Sequence, residues 1–217
     1  MRFFTACAGI MMMLAALAAR AAVPVFDHPV TPAQLRQIIA AAEQELAQHP
    51  VLRGHFTQLK YLQYIPKPLR SSGDFIVSRE QGIWWHTLTP FDSEFILTPT
   101  QMLQVDSGKV AVRMDVAQQP GLKVVGDVFF SIFSLNPSAL DKNFELFGMP
   151  AEKGWVMGLK PRSSALSNVL TQAVIHGDRR VSKVEMLDGH GDRTEISLDS
   201  LGGPAALSDA EATLFKR

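Results

Sequence analysis

The chain has 217 residues and carries 21 Lys and Arg against 21 Asp and Glu, so its formal net charge at pH 7 is zero. With no basic field to attract polyanions, nucleic acid and strongly acidic partners are not expected. A single cysteine, Cys7, excludes an internal disulfide, and the length is sufficient for one domain with a hydrophobic core of its own.

Arg2 is followed by an uncharged apolar run, Phe3 to Ala19, and then by Ala19-Arg20-Ala21. A positive start, an apolar middle and a small-residue exit are the order of a cleavable secretory signal, with cleavage expected after Ala21 or, next to it, Ala22. An uncleaved anchor is the alternative, although the run only just reaches the roughly 18–20 residues a membrane span needs. Cys7 stands too early to become the lipid-accepting first residue of a mature lipoprotein. The expected organisation is a signal over residues 1–21 and a single domain over 22–217, with 19 basic against 21 acidic side chains remaining and a net charge of −2.

Thr31-Pro32-Ala33-Gln34 reads as a helix start, with Thr as N-cap, Pro at the first helical position and Gln closing a capping box. The helix is expected to run to Gln48, with Leu35, Ile38, Ile39, Ala42 and Leu46 on one face. From Val51 the period changes to two, and Pro66 and Pro68 end the run. Further short strands follow at 74–78, 83–88, 94–97, 101–105 and 110–115, separated by turn residues: a meander of antiparallel strands. Between Leu122 and Leu135 the apolar residues Leu122, Val125, Val128, Phe129, Ile132 and Phe133 recur at helical spacing, and Asn136-Pro137 closes the segment. A strand remains an alternative there. Strands are expected again at 144–147, 155–159, 169–176, 181–187 and 194–198, with a helical turn at 163–168.

Six scattered histidines form no close ligand pair, so no metal is expected. Asp188-Gly-His-Gly-Asp192 has the composition of a hairpin turn rather than of a ligand loop. The chain has no G-x-S-x-G elbow and no phosphate-cradling glycine loop, and no residue suggests a mechanism, so neither an enzyme nor a cofactor is expected. The apolar strand residues are either plain core or, in part, the lining of a pocket for an apolar ligand.

Phe56-Thr57-Gln58, Ser72-Gly73-Asp74-Phe75, Arg79 and Trp85-His86 with Pro90 beyond resemble, in order and spacing, the periplasmic outer-membrane lipoprotein carrier family, LolA. The resemblance is strongest over Leu35–Leu97. It implies a mainly β, α+β fold: a strongly curved, incompletely closed antiparallel β-barrel whose concave side is covered by α-helices. It also implies a periplasmic location and a cavity for acyl chains, with Phe75, Ile83, Trp85, Phe95 and Leu97 on strands and Phe129, Ile132 and Phe133 on a lid. The family's latch, an Arg that hydrogen-bonds lid carbonyls, corresponds to Arg79, whose other reading is an ordinary solvated turn residue. Ala212–Phe215 corresponds to a shortened final strand. The sequence departs from the family in having Glu80 where Pro follows the Arg, in a Phe- and Val-rich lid and in lacking an extra C-terminal loop. These departures bear on cargo rather than fold. The implied function is a monomeric carrier that takes acylated cargo from an inner-membrane exporter to an outer-membrane acceptor. The alternative is an envelope module of the same fold that senses lipids or lipoproteins, with an envelope hydrolase a distant third.

Overall fold

The computed structural model describes residues 24–118, 131–201 and 203–217. The expected signal, residues 1–21, and most of the 122–135 segment, Phe129 included, lie outside the described residues. Residues 131–133 are helical.

Eleven strands form one antiparallel sheet: β1 (Val51–Tyr61), β2 (Leu69–Ser78), β3 (Gly82–Thr89), β4 (Ser93–Leu97), β5 (Gln101–Asp106), β6 (Lys109–Asp115), β7 (Phe144–Pro150), β8 (Trp155–Pro161), β9 (Gln172–Gly177), β10 (Val181–Leu187) and β11 (Arg193–Leu201). Their spatial order is β6-β5-β4-β3-β2-β1-β11-β10-β9-β8-β7. Two meanders of sequence neighbours, β1–β6 and β7–β11, are thus joined by one long-range pairing, Phe56 opposite Leu198 and Tyr61 opposite Arg193. β6 and β7 are the two edges, so the barrel is not closed.

The sheet is strongly curved. Phe95 of β4 and Phe144 of β7 line the same cavity, yet their strands stand eight positions apart, which in a flat sheet would separate them by about 38 Å. Alternation assigns the faces. Phe56, Phe75, Val77, Ile83, Leu97, Leu146, Met157, Leu159, Ile175, Val184 and Leu198 form the inner core. On the outer face Ile76, Ile96, Leu103 and Val105 form a second cluster.

Both ends of the described residues are strapped to the outer face. A 3-10 turn, Pro24–Asp27, packs Val25 and Phe26 on Phe147, Val174 and Val156. The chain then crosses the β7 edge, where the Val30 amide donates to the Leu146 carbonyl and the Gly148 amide to the His28 carbonyl, and enters the inner face as α1 (Pro32–Ile38) and α2 (Ala40–Gln48). Thr31 and Gln34 make the expected capping box. The expected single helix is interrupted at Ile39, which serves as C-cap of one helix and N-cap of the next, while its apolar side chain stays in the core with Leu35, Ala42 and Leu46. Short helical turns follow at α3 (Pro137–Leu140) and α4 (Ser164–Ser167), the latter where the sequence places one.

The C-terminus departs from expectation. Residues 212–215 are not a final strand: α5 (Asp209–Leu214) is capped by a box between Ser208 and Glu211, and Phe215 is buried in the outer cluster. Ser208-x-x-Glu211 is a helix-start signal, and it prevails because β11 already occupies the sheet position beside β1. Arg53 holds this strap. Its Nε and Nη2 reach the two oxygens of Glu211 at 2.5 and 2.9 Å, and Nη1 and Nη2 donate to the carbonyls of Pro204 and Ala206 at 2.8 Å. This arrangement holds the Glu211 carboxyl down to about 2.

Candidate functional site

The inner wall is organised around Trp85. Its ring stacks on Phe56 with centroids 3.9 Å apart and lies 5.8 Å from Phe75. The registers place them together: Phe75 is directly opposite Trp85, and Phe56 comes from the next strand over. Gly54, the β1 partner of Phe75, makes room for that ring, since a Cβ there would stand 2.8 Å from it and 2.2 Å from the Asp199 carbonyl oxygen. Three aromatic rings on adjacent strands give one large, stiff apolar surface at low entropic cost.

Above this surface is a cavity of about 390 Å³, within the usual size range of small-molecule sites. Fourteen of its eighteen lining residues are apolar. Ile83, Trp85 and Phe95 form one wall; Ala173, Val184, Met186, Ile196 and Leu198 face them from β9, β10 and β11; Ile132, Phe133, Phe144, Leu166, Val169 and Leu170 complete the enclosure. α1 and α2 contribute nothing to the lining. α1 lies on β7, with Leu35 and Ile38 against Gly148, and Leu35, Ile39, Ala42 and Leu46 belong to the inner core.

The four polar lining residues are Gln58, Asp188, Asp192 and Thr194. Asp188 shapes the β10–β11 turn, and Asp192 ties that turn to the β1–β2 loop. Asp188 Oδ1 accepts from the amides of His190 and Asp192 at 2.9 and 3.0 Å, and Asp192 Oδ1 accepts from the Gln63 amide at 3.1 Å. With Oδ1 of each directed at backbone donors, these carboxylates hold a turn and its neighbour loop in place, in keeping with the turn composition Asp-Gly-His-Gly-Asp. The site as a whole offers apolar contact with a polar margin. Among the described residues no group of three His, Cys, Asp or Glu side chains is placed to hold a metal ion, and no helix is long and apolar enough to cross a membrane.

Among the described residues, an ion-pair cluster ties α2 to the sheet. Glu45 accepts from Arg180 Nη2 at 2.8 Å and lies 3.4 Å from Arg179 Nε, joining the helix to the β9–β10 turn. The Arg180 hydrogen bond lowers the Glu45 pKa below the usual carboxylate value.

Of the residues singled out from sequence, Ile83, Trp85, Phe95, Ile132 and Phe133 line the cavity. Phe75 and Leu97 do not; at 2% and 1% exposure they lie behind the lining, Phe75 beneath Trp85. Arg79 is exposed on the β2–β3 turn, where its amide donates to the Pro50 carbonyl and its guanidinium makes no hydrogen bond or ion pair among the described residues. The half of the lining from β7 and β9–β11 escaped sequence reasoning. The alternation of Val184, Met186, Ile196 and Leu198 marks an apolar strand face, but not which other strands that face meets.

Residues 48–216 match a family model described as "Outer membrane lipoprotein carrier protein LolA". No curated protein matches the chain. Solved structures similar to it include a LolA superfamily protein from Nitrosomonas europaea, at 7% identity and TM-score 0.42, covering 83% of this chain and 96% of that one. LprF from Mycobacterium bovis matches at 10% identity and TM-score 0.35, over 85% of this chain and 99% of that one. The MucA/MucB complex structure from Pseudomonas aeruginosa matches at 13% identity and TM-score 0.35, over 82% of this chain and 60% of that one.

Proposed function

Because the chain belongs to the LolA family, we propose that it is a periplasmic carrier that holds the acyl chains of lipoproteins or of another lipidated cargo in the cavity beside Trp85. The observation that carries this reading is the cavity of about 390 Å³, open at one end, with an almost wholly apolar wall. A buried methylene gains about 0.8 kcal/mol, so a chain of some 15 methylenes resists crossing water by about 12 kcal/mol. An apolar cavity removes that cost without covalent chemistry. Ile83, Trp85, Phe95, Ile132 and Phe133 are the proposed contacts, with Phe75 and Leu97 supporting them from behind. In this reading the N-terminal signal is removed, an inner-membrane exporter supplies the cargo and an outer-membrane acceptor receives it.

The test is native mass spectrometry of protein purified from its own periplasm, together with displacement of a dansyl-labelled fatty acid. Acylated adducts and displacement by competing lipid are expected. Recovery of only ligand-free protein, with no probe binding, would sink the carrier reading. Arg79 takes the family's latch role in this proposal. Arg79→Leu is expected to leave thermal unfolding unchanged and to alter the rate of cargo transfer to acceptor membranes; unchanged transfer removes Arg79 from the mechanism.

A further inference from the structure

The β1–β2 hairpin overshoots its neighbour. β1 and β2 stay paired as far as Lys60 and Leu69, whereas β3 ends its pairing at Thr89, opposite Ser72. Three more residue pairs, at about 3.3 Å each, carry the hairpin roughly 10 Å past the last β2–β3 pair. Its loop presents Tyr64, 93% exposed, and Ile65, with exposed Leu69 at its foot. Leu88 and Phe91, the latter 80% exposed, stand on the β3–β4 turn at the same end. Large apolar side chains at such exposure cost solubility and stabilise nothing in the fold, so their grouping marks an interaction surface.

This end is also where the cavity opens. Val169, 62% exposed, and Asp188 and Asp192 of the β10–β11 turn line the cavity. Gln63 of the hairpin loop is bonded to that turn, its amide to Asp192 and its side chain to the His190 carbonyl. The Arg193 guanidinium lies 4.0 Å from the Tyr61 ring, bracing the hairpin from the β11 side. The protruding loop and the mouth are therefore joined.

The charge on the hairpin loop is one-sided. Residues 60–70 contain Lys60, Lys67 and Arg70 and no acidic residue. The neighbouring turns carry acids of their own: Asp92, bonded to His86 at 2.7 Å, and Asp188 and Asp192, bonded to backbone amides. Aromatic and branched apolar side chains at a loop tip, flanked by Lys and Arg, match the headgroup boundary of an anionic bilayer, which takes apolar groups inward and holds cations at the phosphates.

We propose that this end of the sheet docks on anionic membrane surface, with Tyr64 and Ile65 leading into the interface, Phe91 on the flank, and Lys67 and Arg70 at the headgroups. Docked in this way, the mouth faces lipid, and an acyl chain passes between bilayer and cavity with little exposure to water. The use made of docking rests on the carrier reading; its measurement does not.

The experiment is flotation of the ligand-free protein with protein-free vesicles of phosphatidylethanolamine and phosphatidylglycerol, and with vesicles of phosphatidylcholine alone. Partition onto the anionic vesicles is expected, weakened by salt. Tyr64→Ser with Ile65→Ser should reduce it at least tenfold with an unchanged melting temperature. Lys67→Glu with Arg70→Glu should abolish the preference for anionic lipid. Binding to native membranes but not to protein-free vesicles would overturn the proposal in favour of a protein acceptor. Equal partition of the Tyr64→Ser, Ile65→Ser variant would also overturn it, as would a change confined to self-association in sedimentation. Vesicle binding without fatty-acid probe binding refutes the carrier reading alone, and probe binding without vesicle binding refutes docking alone.

Discussion

Replacing Glu211 by Gln removes one negative charge from the C-terminal strap and leaves its shape nearly unchanged. In the folded protein the hydrogen bonds from Arg53, ahead of the Ser208 amide and hydroxyl, hold the Glu211 carboxyl at about 2, against 4.5 for a free glutamate. A depressed carboxylate pKa means that its stabilisation is fully present above about pH 4.5 and is lost as the pH falls towards 2. The shift corresponds to at most about 3 kcal/mol. The Glu211 side chain is 22% exposed and that of Arg53 14%, so solvent screening reduces this to about 2 kcal/mol. For a domain of this size that is roughly 4–8 °C in melting temperature. The assay is urea or thermal unfolding of wild type and Glu211→Gln across the acid range. The two curves should differ by this amount near neutrality and converge near pH 2. A difference that stays constant over the whole range would refute the charge argument and leave only packing of the strap.

Gly54→Ala should be severely destabilising, because its Cβ would meet a backbone oxygen at 2.2 Å and the Phe75 ring at 2.8 Å. Gly108→Ala, in open space at φ +77°, should cost only about 1 kcal/mol; melting temperatures of the pair check the contrast. Met186→Gln keeps the volume of a cavity-wall side chain and adds an unpaired amide, so fatty-acid probe affinity should fall about fivefold, or about 1 kcal/mol, with little change in stability. Glu45→Gln should loosen α2 from the β9–β10 turn, read as faster hydrogen exchange in residues 40–48. Since the Glu45 pKa is lowered, wild type should acquire the same looseness as acid protonates that carboxylate.

Local chemistry accounts for much of what the sequence shows. The capping box at Thr31 appears as expected, and every expected strand up to residue 198 is found, with ends moved by at most three residues outside β2; β7 and β11 run three residues further, and β9 begins at Gln172 rather than at 169. β2 is the larger exception, starting at Leu69 rather than Asp74, because Leu69–Gly73 is too polar on one side to reveal its period but is held by pairing with β1. Ser208 and Glu211 carry the same local signal for the C-terminal helix. One wall of the cavity could be named from Ile83, Trp85 and Phe95, since alternation places residues on a face and the family motifs run through those strands.

What alternation leaves open is which faces meet. Val184, Met186, Ile196 and Leu198 become cavity wall only because β11 pairs with β1, more than 130 residues away in sequence, and because the sheet then curls until β4 and β7 share one space. Phe75 and Leu97 have the same period and polarity as Ile83 and Phe95, yet they lie behind the lining, which depends on the tilt and stacking of neighbouring rings. The exposure of Tyr64 and Phe91 at the mouth is likewise a property of hairpin length relative to neighbouring strands. The sequence by itself determined that the chain alternates between burial and solvent and where it turns, because those preferences act over a few residues. Enclosure was decided by the tertiary structure, because it depends on long-range registers and on the curvature they impose.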